Sequence, residues 1–177
     1  MTTSPPVLGF VAASGTGKTT LLTQLITLLC QRGLRVGVLK HSHHDFEIDK
    51  AGKDSFKLRH AGAVTTLLSS PYRRAIITEK KPIAEPCLQA ELAYLQVDNL
   101  DLILVEGFKH EAFAKIELHR HELSQPLLYP HDRHIIAVAT NYPLPLPAPL
   151  IALNLNEPPS IAHFITHHFM NSYARPL

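Results

Sequence analysis

The stretch "GFVAASGTGKTTLL", residues 9–22, decides the fold. An apolar run from Val7 to Ala12 ends in a glycine-rich turn, and a segment with helical spacing follows at once. Gly15 and Gly17 free the backbone to curl, and Gly17-Lys18-Thr19 opens a helix whose N-terminus attracts anions. Such a loop gathers backbone N–H groups on a compact anion because no side chain stands between them. Ser14, Gly15, Thr16, Gly17, Lys18, Thr19 and Thr20 are therefore the candidate nucleotide-binding residues. In that role Lys18 reaches the β- and γ-phosphates, the Thr19 hydroxyl ligates Mg²⁺ and Thr20 lies near the α-phosphate. Ala12 stands where the usual pattern has its first glycine. A methyl group fits there if the turn keeps φ negative.

Working outward, Leu21, Leu22, Leu25, Ile26 and Leu29 predict a helix from Lys18 to Arg32, with Gly33 as its C-terminal cap. Arg35 to Leu39 reads as a second strand, and strand, helix, strand in this order argues for a parallel sheet. Asp54 is expected to cap a short helix ending near Gly62. "VTTLLSSPYRRAIITEK", residues 64–80, reads as a hairpin around Pro-Tyr-Arg-Arg. Leu88, Leu92 and Leu95 mark a further helix. "LDLILVEG", residues 100–107, and "HIIAVAT", residues 134–140, are buried strands, whereas "AKIELHR", residues 114–120, alternates like a strand with one exposed face. The proline-rich "YPLPLPAP", residues 142–149, cannot be an inner strand. "LIALNL" is a last strand, and Ser160 to Asn171 a last helix with Ile161, Phe164, Ile165 and His168 on one face. The pattern is α/β and phosphate-loop NTPase-like: a mostly parallel β-sheet with helices on both faces plus an inserted β-hairpin. We read residues 1–177 as a single phosphate-loop nucleotide-binding domain with the hairpin insertion at about 64–80.

With 177 residues, one domain is the default. A net charge of +2 is too small to argue for nucleic acid or an anionic membrane. Cys30 and Cys87 lack metal-type spacing, so a reduced, cytoplasmic compartment is expected. The start "MTTSPPVLGF" has no signal-peptide pattern, and no apolar run reaches transmembrane length.

A phosphate loop needs an acidic partner for its metal. Glu106, at the end of a buried strand, is the candidate, since a carboxylate there can hold Mg²⁺ through water. Glu106-Gly107 also leaves open a small-molecule kinase; that reading needs lid arginines, and the adjacent Arg73 and Arg74 sit in a hairpin turn. The polar loop between the second strand and Asp54 offers His41, His43, His44, Asp45, Asp49 and Lys53. Its cations could meet a phosphate, and Asp49 is the acid read as facing nucleotide or Mg²⁺. Its histidines leave open a metallochaperone with a transition-metal site.

Taken in order, "AASGTGKTTLL", "LKHSHHDFEIDKAGKDSFKLRHAGA", "LDLILVEGFKHE", "AKIELHR" and "DRHIIAVAT" resemble the molybdopterin-guanine dinucleotide biosynthesis B proteins, MobB, across roughly residues 7 to 140. The Lys-His-x-His-His-Asp to Gly-Lys-Asp-Ser block is far more specific than the phosphate loop, and the family uses alanine at the position of Ala12. The resemblance implies a phosphate-loop GTPase-like fold, GTP and Mg²⁺ binding, and weak GTP hydrolysis. It also implies a dimeric accessory protein acting with the MobA-type guanylyltransferase, and so with molybdopterin indirectly. Guanine selectivity is implied by the resemblance alone: "VATNYPL" keeps Asn141 but not the Lys and Asp of a guanine-reading Asn-Lys-x-Asp.

Overall fold

The computed structural model describes residues 4–42, 44–80, 85–95 and 99–173. The chain divides into two compact units, one of Met1–His41 with Cys87–Leu177 and one of Ser42–Pro86. Among the described residues no helix is long and apolar enough to cross a membrane.

The larger unit is built on a six-stranded sheet. Its strands are β1 (Val7–Ala12), β2 (Val36–Lys40), β5 (Leu102–Glu106), β6 (Lys115–His119), β7 (Ile135–Thr140) and β8 (Ile151–Asn154), in the order β2-β5-β1-β6-β7-β8. Every pairing is parallel. The strand order reverses about β1, and ligands of open α/β sheets bind outside the carboxyl ends of the strands at such a point. The inner strands β1, β5 and β7 are buried on both faces, which is why they are almost continuously apolar. Along β5, Leu102 and Leu104 join one core and Ile103 and Val105 the other. The first core holds Leu22, Leu25 and Leu29 of α1 (Lys18–Gln31) with Ile161 and Phe164 of α4 (Pro158–Phe164). The second takes Leu88 and Leu92 of α3 (Leu88–Leu92). The proline-rich segment forms no strand. Its Leu144 and Leu146, with Leu150, pack over Val11, Ile135 and Val138.

Two expectations change here. β6 has no exposed face: Lys115 and Glu117 are each 1% exposed. It lies between β1 and β7, so its polar side chains are buried and have to be satisfied inside. The Lys115 Nζ donates to the carbonyls of Lys109 (3.0 Å) and Glu111 (2.7 Å) and to Asp132 Oδ2 (2.6 Å). Burial pushes the Asp132 carboxyl up, but the bonds from Lys115 and the His134 N–H outweigh it and hold it below its ordinary value. In the last helix, His168 is exposed and Phe169 is buried in its place. A π-helical turn, Ile165–Phe169, follows α4 and precedes α5 (Met170–Tyr173). Its wider turn shifts the apolar face by one residue.

The smaller unit contains α2 (Asp54–His60) and an antiparallel hairpin of β3 (Thr65–Ser69) and β4 (Arg74–Thr78). The Ser70 hydroxyl accepts from the N–H groups of Tyr72 (3.2 Å) and Arg73 (3.1 Å) and so shapes the turn. Asp54 is not the cap of α2. Lys53 holds that position in an extended conformation, and Asp54 is the first helical residue, without a side-chain cap bond. Its charge still suits the helix N-terminus.

Candidate functional site

β1 delivers the chain to the phosphate loop at the carboxyl edge of the sheet. Ala12 has no positive φ, so its methyl is accommodated, while Gly15 and Gly17 have φ of +79° and +93° and need glycine. Thr16 is 2% exposed, and its hydroxyl donates to the Ala13 carbonyl at 2.8 Å. Gly17 is the N-cap of α1 and supplies no side-chain cap. The first-turn N–H groups of α1 are therefore left for an anion. Ser14, Gly15, Thr19 and Thr20 are exposed on this loop and first turn. The Lys18 Nζ folds back to the Ala12 carbonyl at 3.5 Å, a long contact that a stronger acceptor would displace.

On one flank of β1, Phe10 pairs with Glu106 at the end of β5. The Glu106 side chain is 15% exposed and meets the Lys40 ammonium at 3.4 Å. Gly107 follows with φ +107°, and a Cβ there would lie 2.7 Å from His41 Cβ. The His41 N–H donates to the Glu106 carbonyl at 2.8 Å, and the His41 ring meets Phe108 edge-on at 4.8 Å. These contacts fix the direction in which Glu106 leaves the sheet.

On the other flank, Ala12 pairs with Leu118 of β6, and Arg120 follows two residues on. Its Nε donates to the Thr16 carbonyl at 2.9 Å. Asn141, after β7, holds the next turn: its Oδ1 accepts from His121 N–H at 3.3 Å, and its Nδ2 donates to both Glu122 oxygens at 2.7 and 2.9 Å. The Glu122 carboxyl is lowered by its own backbone N–H and then by Asn141. A cavity of about 180 Å³ opens here, lined among others by Ala13, Thr16, Glu117, His119, Arg120 and Gln125. Burial raises the Glu117 carboxyl against the opposing N–H groups of Leu128 and Tyr129. Arg120 was not among the candidate residues read from the sequence. The available signal was its position directly after the strand "AKIELHR".

The remaining candidates lie in the smaller unit. His44, Asp45 and Lys53 are exposed, and Asp45 Oδ1 accepts from the Phe46 N–H. His43 lies outside the described residues. Asp49 is 6% exposed at its side chain and ion-pairs with Arg59 at 2.8 Å, and that hydrogen bond holds its carboxyl below the ordinary value. Arg59 also binds Glu79 at 2.7 Å and Glu47. Three carboxylates converge on one arginine, an arrangement the sequence did not reveal. Among the described residues no three of His, Cys, Asp or Glu are placed to hold a metal ion.

A family model described as "Molybdopterin guanine dinucleotide synthesis protein B" matches residues 7–141. The chain is 49% identical over 161 residues to the molybdopterin-guanine dinucleotide biosynthesis adapter protein of Escherichia coli K12, covering 90% of this chain and 91% of that one. It is 47% identical over 173 residues to the adapter protein of the same name from Haemophilus influenzae, covering 93% and 91%. A crystal structure titled molybdopterin-guanine biosynthesis protein B is similar with a TM-score of 0.68 at 28% identity, covering 90% of this chain and 97% of that one.

Proposed function

The chain belongs to the molybdopterin guanine dinucleotide synthesis protein B family, and on that premise we propose that it is a GTP-binding adapter in molybdenum cofactor biosynthesis. It assists a MobA-type guanylyltransferase as molybdopterin is converted to its guanine dinucleotide, meeting molybdopterin through that enzyme, and hydrolyses GTP slowly. The carrying observation is the phosphate loop: two left-handed glycines and an uncapped helix N-terminus beside an acidic strand end. These residues fit a nucleotide phosphate, because the first-turn N–H groups lack a side-chain acceptor and Lys18 has only a weak contact to give up. Residues Ser14 to Thr20 bind the phosphates, and Lys18 supplies the point charge.

Thr19 and Glu106 are the proposed Mg²⁺ ligands. Both are oxygen donors suited to a hard cation that keeps several waters, and the bound ion neutralises phosphate charge. A metal role for Asp49 competes with its ion pair to Arg59, so the proposal rests on Thr19 and Glu106. Slow hydrolysis agrees with the residues after Glu106, which read Gly-Phe-Lys-His and bring no glutamine to orient water.

The adapter is proposed to be a homodimer formed through the hairpin. Leu67 and Ile76 pair across β3 and β4 and are 57% and 59% exposed. A two-stranded hairpin with an open apolar face is marginal in water and suits a two-fold contact. The function is tested by adding the protein to a MobA-type enzyme with molybdopterin and GTP. Faster or more complete guanine dinucleotide formation that Lys18→Ala fails to give supports the reading. An equal yield with and without the protein contradicts it.

A further inference from the structure

The Thr16–Gly17 peptide is the last link of the phosphate loop before α1, and one face of it is already engaged. Arg120 reaches its carbonyl from β6, with Nε 2.9 Å from the Thr16 oxygen. Gly17 lies close by: a Cβ built on it would come 3.9 Å from a terminal guanidinium nitrogen. We propose that Arg120 is the positioning residue of the phosphate loop, locking the Thr16–Gly17 peptide so that the Gly17 N–H serves as a donor to nucleotide phosphate. The inference rests on the reading of this loop as a nucleotide site.

The argument starts from the peptide group. The only cis bond among the described residues is Ala148–Pro149, so Thr16–Gly17 is trans and its C=O and N–H point in opposite directions. Holding the Thr16 oxygen on Arg120 therefore aims the Gly17 N–H away from the guanidinium. Without that hold the peptide has a cheap alternative, because glycine tolerates both signs of φ and a peptide beside it flips easily. A flipped peptide would present a carbonyl where a donor is needed, and a carbonyl repels phosphate. The rest of Thr16 is fixed from the other side by its buried hydroxyl on the Ala13 carbonyl, so peptide orientation is the freedom that remains. A cation bonded to the carbonyl also polarises the amide and strengthens its N–H as a donor.

Arg120 is itself well supported. It leaves the sheet from β6, whose Leu118 pairs with Ala12, so the strand register sets its distance from the loop. The following turn is closed by the Leu123 N–H on the Arg120 carbonyl at 3.2 Å and clamped by Asn141 on His121 and Glu122. Asn141, standing where a guanine-reading motif would begin, is thus engaged by the turn that follows Arg120. Lysine cannot replace this arginine fully, since its single ammonium lacks the planar Nε donor that reaches a carbonyl sideways.

The test measures Mg²⁺-dependent binding of GDP and of inorganic pyrophosphate by calorimetry, with the Gly17 amide followed by NMR in the nucleotide-free protein. Arg120→Ala is expected to weaken both ligands by the same factor, about tenfold or more, and to displace or broaden the Gly17 amide signal. Arg120→Lys recovers only part of the loss. Full affinity in folded Arg120→Ala overturns the proposal, and so does an unmoved Gly17 signal. A loss for GDP with none for pyrophosphate also overturns it, because Arg120 would then serve the nucleoside. If Arg120→Ala does not fold, Arg120→Gln decides: weaker pyrophosphate binding upholds the role and wild-type binding overturns it. Wild-type protein that binds neither ligand overturns the nucleotide reading and the role of Arg120 with it, whereas normal wild-type binding with unaffected variants overturns the role alone.

Discussion

Gly107 carries two constraints at once. Its φ of +107° is a region side chains avoid, and a Cβ would strike His41 at 2.7 Å. Gly107→Ala is therefore expected to destabilise the protein by about 1–3 kcal/mol, read as a lower urea midpoint, and to disturb Glu106 beside it. An unchanged midpoint would mean that the end of β5 relaxes freely. Glu106→Gln tests the neighbouring chemistry. It should weaken Mg²⁺-dependent GTP binding or turnover more than Mg²⁺-free binding, since the carboxylate is proposed to act on the metal; equal loss in both conditions would count against a metal role. At this scale the phosphate loop was legible in the sequence because its spacing is tight and local. The partners of Asp49 and Thr16 were not. Arg59 and Arg120 reach them across 10 and 104 residues respectively, and no local pattern encodes such a bond.

Elements were legible wherever one local rule sufficed. The β-rich runs on either side of the Pro-Tyr-Arg-Arg turn and the apolar period of α1 are rules of that kind. β6 was legible as a strand but not its burial, because alternation of polar and apolar residues is ordinarily a sign of one wet face, whereas here the polar residues are buried with partners. In the last helix Ile161, Phe164 and Ile165 are buried as expected, and only His168 was misplaced, because a π turn changes the period midway. The hairpin supplies its own prediction. Leu67 and Ile76 share the open face, whereas Ile77 lies on the other side opposite Thr66 and is half-buried. Leu67→Lys with Ile76→Lys should give monomers in sedimentation that still bind GTP, and a persistent dimer would place the contact elsewhere. The entry to β2 and β5 supplies another. Asp101 accepts from the Arg35 side chain at 2.8 and 3.0 Å and from its backbone N–H at 2.8 Å, and these bonds bring its carboxyl down to about 2. An unfolded aspartate titrates near about 4, so the unfolded chain takes up the proton first as pH falls. The contribution is complete above about pH 5 and is lost as pH drops from about 4 through about 2. The stability gap between wild type and Asp101→Asn should be constant at neutral pH and close over that acid range. Because Arg35 is largely exposed, added salt should narrow the gap as well. A gap unchanged down to pH 2 would contradict the assignment.

For the whole molecule, the parallel sheet and the order of its strands place three strand ends side by side: β5 with Glu106, β1 with the phosphate loop, and β6 leading to Arg120. That arrangement gathers the residues of the proposed phosphate site, which are far apart in the chain. The family likeness adds the pathway, and the adapter role follows from it rather than from any catalytic group in the site. The central claim is that this loop holds GTP with Mg²⁺. Titration of the wild-type protein and Lys18→Ala with GTP and ATP in Mg²⁺, on samples of matched circular dichroism, tests it most directly. The account predicts saturable GTP binding by the wild type, weaker ATP binding, and loss of most affinity in the folded variant; undiminished GTP affinity in Lys18→Ala, or no binding by the wild type, would contradict it.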